Sequence, residues 1–345
     1  MNTLKIAVFI LQSALLVAAL AGCEDTSDPG SADGDADGDT DTDTDGDTDT
    51  DGDSDSDSDS DADGDADDGC DKMDILFVID NSGSMGLEQT NLIANFAGFI
   101  EALDAYEVGG TGGQLDYHVG VTSTDVDHHD CTPIGCPLEE GEDGVLQNTP
   151  LGNGGSCDAP TSLFMTGPSS DVVDQFACVA ELGTGGWSNE MPLEAIRRGM
   201  TDGILGEGHI NAENAGFLRD DALFVAIIIT DEDDESLANT YWTAFWDAEN
   251  FTPGPLDLYV SDAKGFLSIK PTYEHMVFGV ISGPENSSCS STFGAASATP
   301  RLHEFLSMTG SYATWANICD GDLAGAFATI LDSIELACND MPPIE

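Results

Sequence analysis

The sequence predicts an α/β domain, doubly wound, with a mostly parallel central sheet flanked by helices and a disordered acidic linker in front. Three observations carry this. Ile75-Leu76-Phe77-Val78-Ile79 and Leu223-Phe224-Val225-Ala226-Ile227-Ile228-Ile229 are unbroken apolar runs, β-branched and aromatic, as expected of strands buried on both faces. Each run ends abruptly at oxygen-bearing residues, Asp80 in one case and Thr230-Asp231 in the other. Helix-like segments alternate with these and further strand-like runs, the pattern of a parallel sheet covered on both sides.

The chain opens with an export signal, residues 1–22. Lys5 is its single positive charge, residues 6–20 are almost wholly apolar, and Leu20-Ala21-Gly22-Cys23 closes it with small residues. The apolar core is short for a membrane span. Leu-Ala-Gly-Cys resembles a bacterial lipobox. That implies lipidation of Cys23 and an outer-membrane lipoprotein of a Gram-negative cell envelope; the plainer alternative is a secretory signal with Cys23 incidental. Acyl chains hold a protein at a membrane through about 0.8 kcal/mol per buried methylene. Acidic residues just after Cys23 are compatible with display on the outer surface.

Residues 23–69 read as a disordered stalk. Asp occupies every odd position from 33 to 67, alternating with Gly, Ala, Thr or Ser, so nothing there builds a core. At about 3.3 Å per residue its reach approaches roughly 150 Å. Asp41-Thr42-Asp43-Thr44-Asp45-Gly46 matches the first half of a calcium loop, but Gly52 stands where the closing Glu belongs, so diffuse cation binding is expected rather than a dedicated site.

The remaining residues, 70–345, read as one domain. The chain carries 66 acidic residues against eight basic ones; 22 of the acids lie in 24–69, which leaves 44 against the seven bases beyond Lys5, a net charge of −37. Nucleic acid and anionic lipid are poor partners for such a surface; a cation or a basic partner is favoured, and solubility outside the cell explains the charge equally well.

The first strand run leads into Asp80-Asn81-Ser82-Gly83-Ser84, which offers only oxygens and small side chains, and residues 87–103 then read as a helix. Ligands of open α/β sheets bind at the carboxyl ends of the strands. One carboxylate and two hydroxyls suit a hard divalent cation whose coordination stays open; the competing reading is an ordinary turn with Ser as a helix cap.

Residues 117–122 form the next expected strand. Residues 125–168 are a Gly-, Pro- and Cys-rich insertion after that strand's carboxyl end, on the sheet edge that carries the metal loops. Residues 171–182 read as a helix leading into Gly183-Thr184-Gly185-Gly186-Trp187-Ser188-Asn189, and residues 190–204 as the next helix. Beyond Asp231, Glu232-Asp233-Asp234-Glu235 reads as an acidic helix start that suits the dipole, with a second cation as the alternative, and residues 236–250 read as helical. Residues 276–282 and 312–315 are further strands; 300–308 and 323–337 are helices.

Asp80, Ser82 and Ser84 with the later Thr-Asp strand end resemble the metal-ion-dependent adhesion site of von Willebrand factor A domains, over roughly residues 70–340. Glu232 replaces that family's usual Gly. The resemblance implies Mg²⁺ (or Mn²⁺ or Ca²⁺) held by Asp80, Ser82, Ser84, a Thr from a second loop and Asp231. Thr184 is the choice for that Thr, with Ser188 as its competitor. It also implies a binding module rather than an enzyme, in which an Asp or Glu of a protein partner supplies the last oxygen. Trp187, in the same loop, is either a contact for that partner or packing beneath the insertion.

Eight cysteines beyond Cys23 read as disulfides in an exported domain. Cys70 precedes the first strand and Cys338 follows the last helix, and domain termini often lie close together, so these two are paired. Cys289 with Cys319 is a second pair, and Cys131, Cys136, Cys157 and Cys178 stay unassigned. No Cys-x-x-Cys supports zinc. Asp127-His128-His129 resembles a phosphoesterase signature, but that family's other motifs are absent, as are a nucleophile elbow and a P-loop. The alternative functions are a structural envelope scaffold with a rigidifying metal and a metal-dependent phosphohydrolase that would combine Asp127-His128-His129 with Asp80 and Asp231.

Overall fold

A computed structural model describes residues 70–340 except 109–112, 130–137, 153–156, 204–205, 237–252 and 322. All of these belong to the second of the chain's two units, residues 62–345. The export signal, the stalk, Cys131, Cys136 and most of the expected helix over 236–250 lie outside the described residues.

The sheet has six strands: β1 (Lys72–Ile79), β2 (Asp116–Ser123), β3 (Phe164–Gly167), β4 (Leu223–Ile229), β5 (Met276–Ser282) and β8 (Ala313–Asn317), in the order β8-β5-β4-β1-β2-β3. Every pairing is parallel except β2 with β3. Phe77 stands opposite Val121 on one side and Ile227 on the other, which makes β1 the central strand. The longer helices are α1 (Gly86–Asp104), α2 (Val172–Val179), α3 (Pro192–Met200), α4 (Pro300–Met308) and α5 (Leu323–Asp340), and a hairpin is made by β6 (Cys289–Ser291) and β7 (Gly294–Ala296).

Side chains alternate across a strand, and β1 divides accordingly between two cores. Ile75, Phe77 and Ile79 join residues of α1, α2 and α5; Leu76 and Val78 join residues of α3 and α4. Phe77 takes edge contacts from Phe96, Phe99, Phe176 and Phe327, with ring centroids 4.9–6.3 Å apart. Arrangements of this kind add to simple burial. β1, β4 and β5 are buried from Met73, Leu223 and Met276 onward, which is why they read as continuous apolar runs.

Several expectations need correction. Part of the insertion is sheet: β3 closes the edge antiparallel to β2. The expected helix over 190–204 is only Pro192–Met200; Pro192 occupies its first turn, where no backbone N–H is needed, and Thr201 is already extended. The helix over 171–182 is Val172–Val179. Residues 231–236 are irregular, and the helix expected to follow these acids lies almost wholly outside the described residues; Asp233 caps α4, its carboxylate accepting from the Arg301 and Leu302 amides at 3.0 and 3.1 Å.

Disulfides join Cys70 to Cys338, Cys289 to Cys319, and Cys157 to Cys178. The third pairing, open at the sequence level, ties the insertion to α2. Among the described residues no helix is long and apolar enough to cross a membrane.

Candidate metal centre

Asp80 is fully buried at the carboxyl end of the central strand. Its amide donates to the Ile229 carbonyl at 2.9 Å, so the ends of β1 and β4 are held side by side. One carboxylate oxygen accepts from the Ser82 amide and the other from the Thr230 hydroxyl, each at 2.7 Å. The Ser82 and Ser84 hydroxyls lie 3.2 Å apart; Ser82 is 4% exposed, whereas Ser84 opens to the surface. Ser84 also hydrogen-bonds Asp231. Asp80, Ser82, Ser84 and Asp231 therefore form one group across the β1 and β4 strand ends.

The second loop is tied to the first through backbone. Gln89, in the first turn of α1, donates at 2.8 Å to the carbonyls of Asp80 and Gly183 and accepts from the Gly183 amide at 3.1 Å. The Gly186 amide donates to the Asn81 carbonyl at 2.9 Å. A Cβ on Gly186 would fall 2.2 Å from the Asn81 side chain, so a larger residue here would have to push that side chain aside.

Thr184 is exposed. Its methyl group faces Gly86, and it makes no hydrogen bond to Asp80, Ser82 or Ser84 among the described residues. Ser188 is exposed as well. The residue from this loop that meets Asp80 is Glu190, which sequence reasoning passed over. It is 1% exposed, the charge of Asp80 acts on its carboxyl, and it accepts from the Thr124 hydroxyl. The available signal was an acid two residues before the Pro that opens α3. Trp187 is half-buried against the α3–α4 core, and its amide donates to Asp125 at 3.1 Å.

Acid crowds the site. None of the described ion pairs reaches Asp80, Glu190 or Asp231. Burial pushes the Asp231 carboxyl up to about 7, with the charge of Asp80 adding to it. Burial likewise raises Asp80 and Glu190. Oδ1 of Asp231, Oε1 of Glu190 and Oε2 of Glu88 are buried without a hydrogen-bond partner. Unpaired buried carboxylate oxygens are costly, and a hard cation satisfies them. The donor set of carboxylates and hydroxyls thus fits the group the motif implies. It is not a cage of acids and imidazoles alone: among the described residues no three His, Cys, Asp or Glu form such a cage.

Beside the loops lies an open cleft of about 530 Å³, walled by Asn81, Asp125, Glu140, Glu142, Leu151 and Thr184 among others. Glu142 of the insertion accepts from Asn81 at 3.1 Å and from the Ser123 hydroxyl at 2.6 Å, which docks the insertion against the metal loop. Leu151, one of the exposed large hydrophobics among the described residues, lines this cleft. Asp127 does not join the group; it accepts from the Gly141 amide and faces Asp143 and Arg198. His128 and His129 pair through their backbones with Leu138–Glu139, and their side chains lie outside the described residues.

No protein-family model matches the chain, and no curated protein is similar to it. Among solved structures, two of proximal thread matrix protein 1 from the mussel byssus are similar, at 14% and 13% identity, each with a TM-score of 0.38. Each match covers 77% of this chain; in the second, that protein has a zinc-occupied MIDAS motif. The chain spans about half the length of each, 49% and 48%.

Proposed function

We propose that this chain is an exported, lipid-anchored binding module of the cell envelope, not an enzyme. It recognises a protein partner through a divalent cation held at the β1 and β4 strand ends. The observation that carries this is the set of buried, unpartnered carboxylate oxygens beside the Ser82 and Ser84 hydroxyls, open to the surface at Ser84. Asp80, Ser82, Ser84 and Asp231 would hold the ion. The cation supplies an open coordination position, which an oxygen of the partner fills; Asp or Glu is the donor that the resemblance implies. The cation also offsets the repulsion that an acidic partner group meets from this acidic domain.

Calorimetric titration of the full chain with Mg²⁺, wild type against Ser82→Ala/Ser84→Ala, tests this. A saturable phase weakened at least tenfold in the variant is the expected result. Equal, weak binding in both assigns the ions to the acidic surface and makes the domain a scaffold.

A further inference from the structure

We infer that the cleft between the insertion and the loop over residues 183–186 is a separate subsite, built for a guanidinium group, such as an arginine side chain presents. The pocket stands on observations of its own; only the source of the arginine, a protein partner, rests on the reading above. The cleft measures about 530 Å³ and adjoins the metal loop at Asn81. Its charged walls are all acidic: Asp125, Glu140 and Glu142 line it, and among the described residues no Lys, Arg or His does. None of the described ion pairs reaches Glu140 or Glu142.

Acids on so acidic a domain do not by themselves make a site. The second observation is Asn81, which is 4% exposed and stands in the wall of the cleft. Its Nδ2 donates to Glu142 at 3.1 Å, which orients the amide, and its Oδ1 is buried with no partner. A buried acceptor left unmet costs free energy, and a donor entering the cleft recovers it. Asn81 and the three carboxylates thus call for a cation rich in donors. Among the described residues no three His, Cys, Asp or Glu are placed to hold a metal ion, so these acids do not converge on a point charge. A guanidinium suits a wider spread: it is planar, presents five N–H donors and no acceptor, and meets carboxylates in forked geometry. Leu182 and the exposed Leu151 line the same cleft and give the methylene stem an apolar wall. A lysine ammonium, compact and strongly hydrated, matches these walls less well.

The competing reading is a wet acidic surface that attracts any cation. The probe that separates the two is N-acetyl-arginine amide, beside its uncharged isostere N-acetyl-citrulline amide and the equally charged N-acetyl-lysine amide. Each is titrated into the full chain in EDTA at about 0.15 M NaCl. The amide NMR shifts of residues 140–142 and 182–186 report the cleft, and those of the stalk report diffuse binding. The expected result is saturable shifts at the cleft with the arginine probe, none with the citrulline probe, and weaker binding of the lysine probe. Glu140→Gln/Glu142→Gln keeps an oxygen that accepts from Asn81 and Ser123 while removing two charges. It should weaken the arginine probe about tenfold, the order expected when hydrogen bonds to charged groups lose the charge. Shifts that do not saturate, an equal response to the citrulline or lysine probe, or equal affinity in wild type and variant overturns the inference. Should the double variant not fold in thermal melts, Glu140→Gln decides, since Glu140 is exposed: weaker binding of the arginine probe supports the inference and unchanged binding overturns it. With divalent ions chelated, the outcome is independent of the metal reading, which the Mg²⁺ titration of Ser82→Ala/Ser84→Ala tests separately.

Discussion

Two buried acids of this domain meet opposite solutions. Glu194 is enclosed by cations: its carboxylate takes Arg197 at 2.9 and 2.5 Å and Arg198 at 2.9 Å, with the Tyr259 hydroxyl at 3.1 Å. Asp80 has hydrogen bonds and further acids around it, and no ion pair. Paired buried charges are structural, whereas acids gathered without a counter-charge mark a candidate functional site. The Glu194 network extends to Asp143, a non-glycine residue at φ 56°, which ion-pairs with Arg198 and faces His209 at 3.0 Å; the other ring nitrogen of His209 faces Glu213 at 2.8 Å. The hydrogen bond to Asp143 raises His209 above its ordinary value, against the cost of burial, and the separate hydrogen bond between His209 and Glu213 lowers Glu213. A raised histidine contributes stability that is fully present below its unfolded pKa of about 6.5 and lost as pH rises through the folded value; a lowered carboxylate loses its contribution as pH falls through its folded value. Amide-exchange protection of residues 207–217 should therefore decline as pH rises from 6 toward 8.5 in wild type, after correction for intrinsic exchange. His209→Gln should show no such decline; equal slopes in both proteins would remove His209 as the cause.

The elements most legible in the sequence are those under the strongest constraint. β1, β4 and β5, each buried almost throughout, cannot interrupt their apolar runs, and their carboxyl ends locate Asp80 and Asp231. β3 was illegible because four residues at a sheet edge, within a Gly- and Pro-rich stretch, carry no periodicity long enough to register. Glu190 was illegible for a different reason: an acid just before a helix reads as a partner for the helix dipole, and only the fold brings it onto Asp80. The last helix carries a prediction of its own. Cys338, near its end, is bonded to Cys70, just ahead of the central strand. The bond should restrain α5 and hold the site at a single affinity. Cys70→Ser/Cys338→Ser should cost about 2–4 kcal/mol in denaturant unfolding. In conditions where that variant stays folded, exchange protection of Leu323–Asp340 should fall and cation affinity should change; unchanged affinity and protection would show that the bond does not restrain the helix.

At the scale of the whole molecule, charge sets the terms on which any cation binds. The chain carries a formal net charge of −58, and a molecule so acidic collects divalent ions without any site. Screening separates diffuse from specific binding. The Debye length is about 30 Å at 0.01 M salt and about 3 Å at 1 M, so attraction to the summed surface charge nearly disappears at high salt, while ligation at Asp80, Ser82, Ser84 and Asp231 is weakened much less. Relief of self-repulsion acts on the same observable, since monovalent salt alone should raise the melting temperature of the metal-free chain. The informative quantity is thus the further rise on adding a divalent cation, measured at about 0.01 M and about 1 M NaCl. In wild type a substantial part of that rise should survive at 1 M; in Ser82→Ala/Ser84→Ala the rise should be present at low salt and nearly gone at high salt. A wild-type rise that vanishes at 1 M along with the variant's would mean that the acid of the surface, rather than the loop at the end of β1, holds the ions.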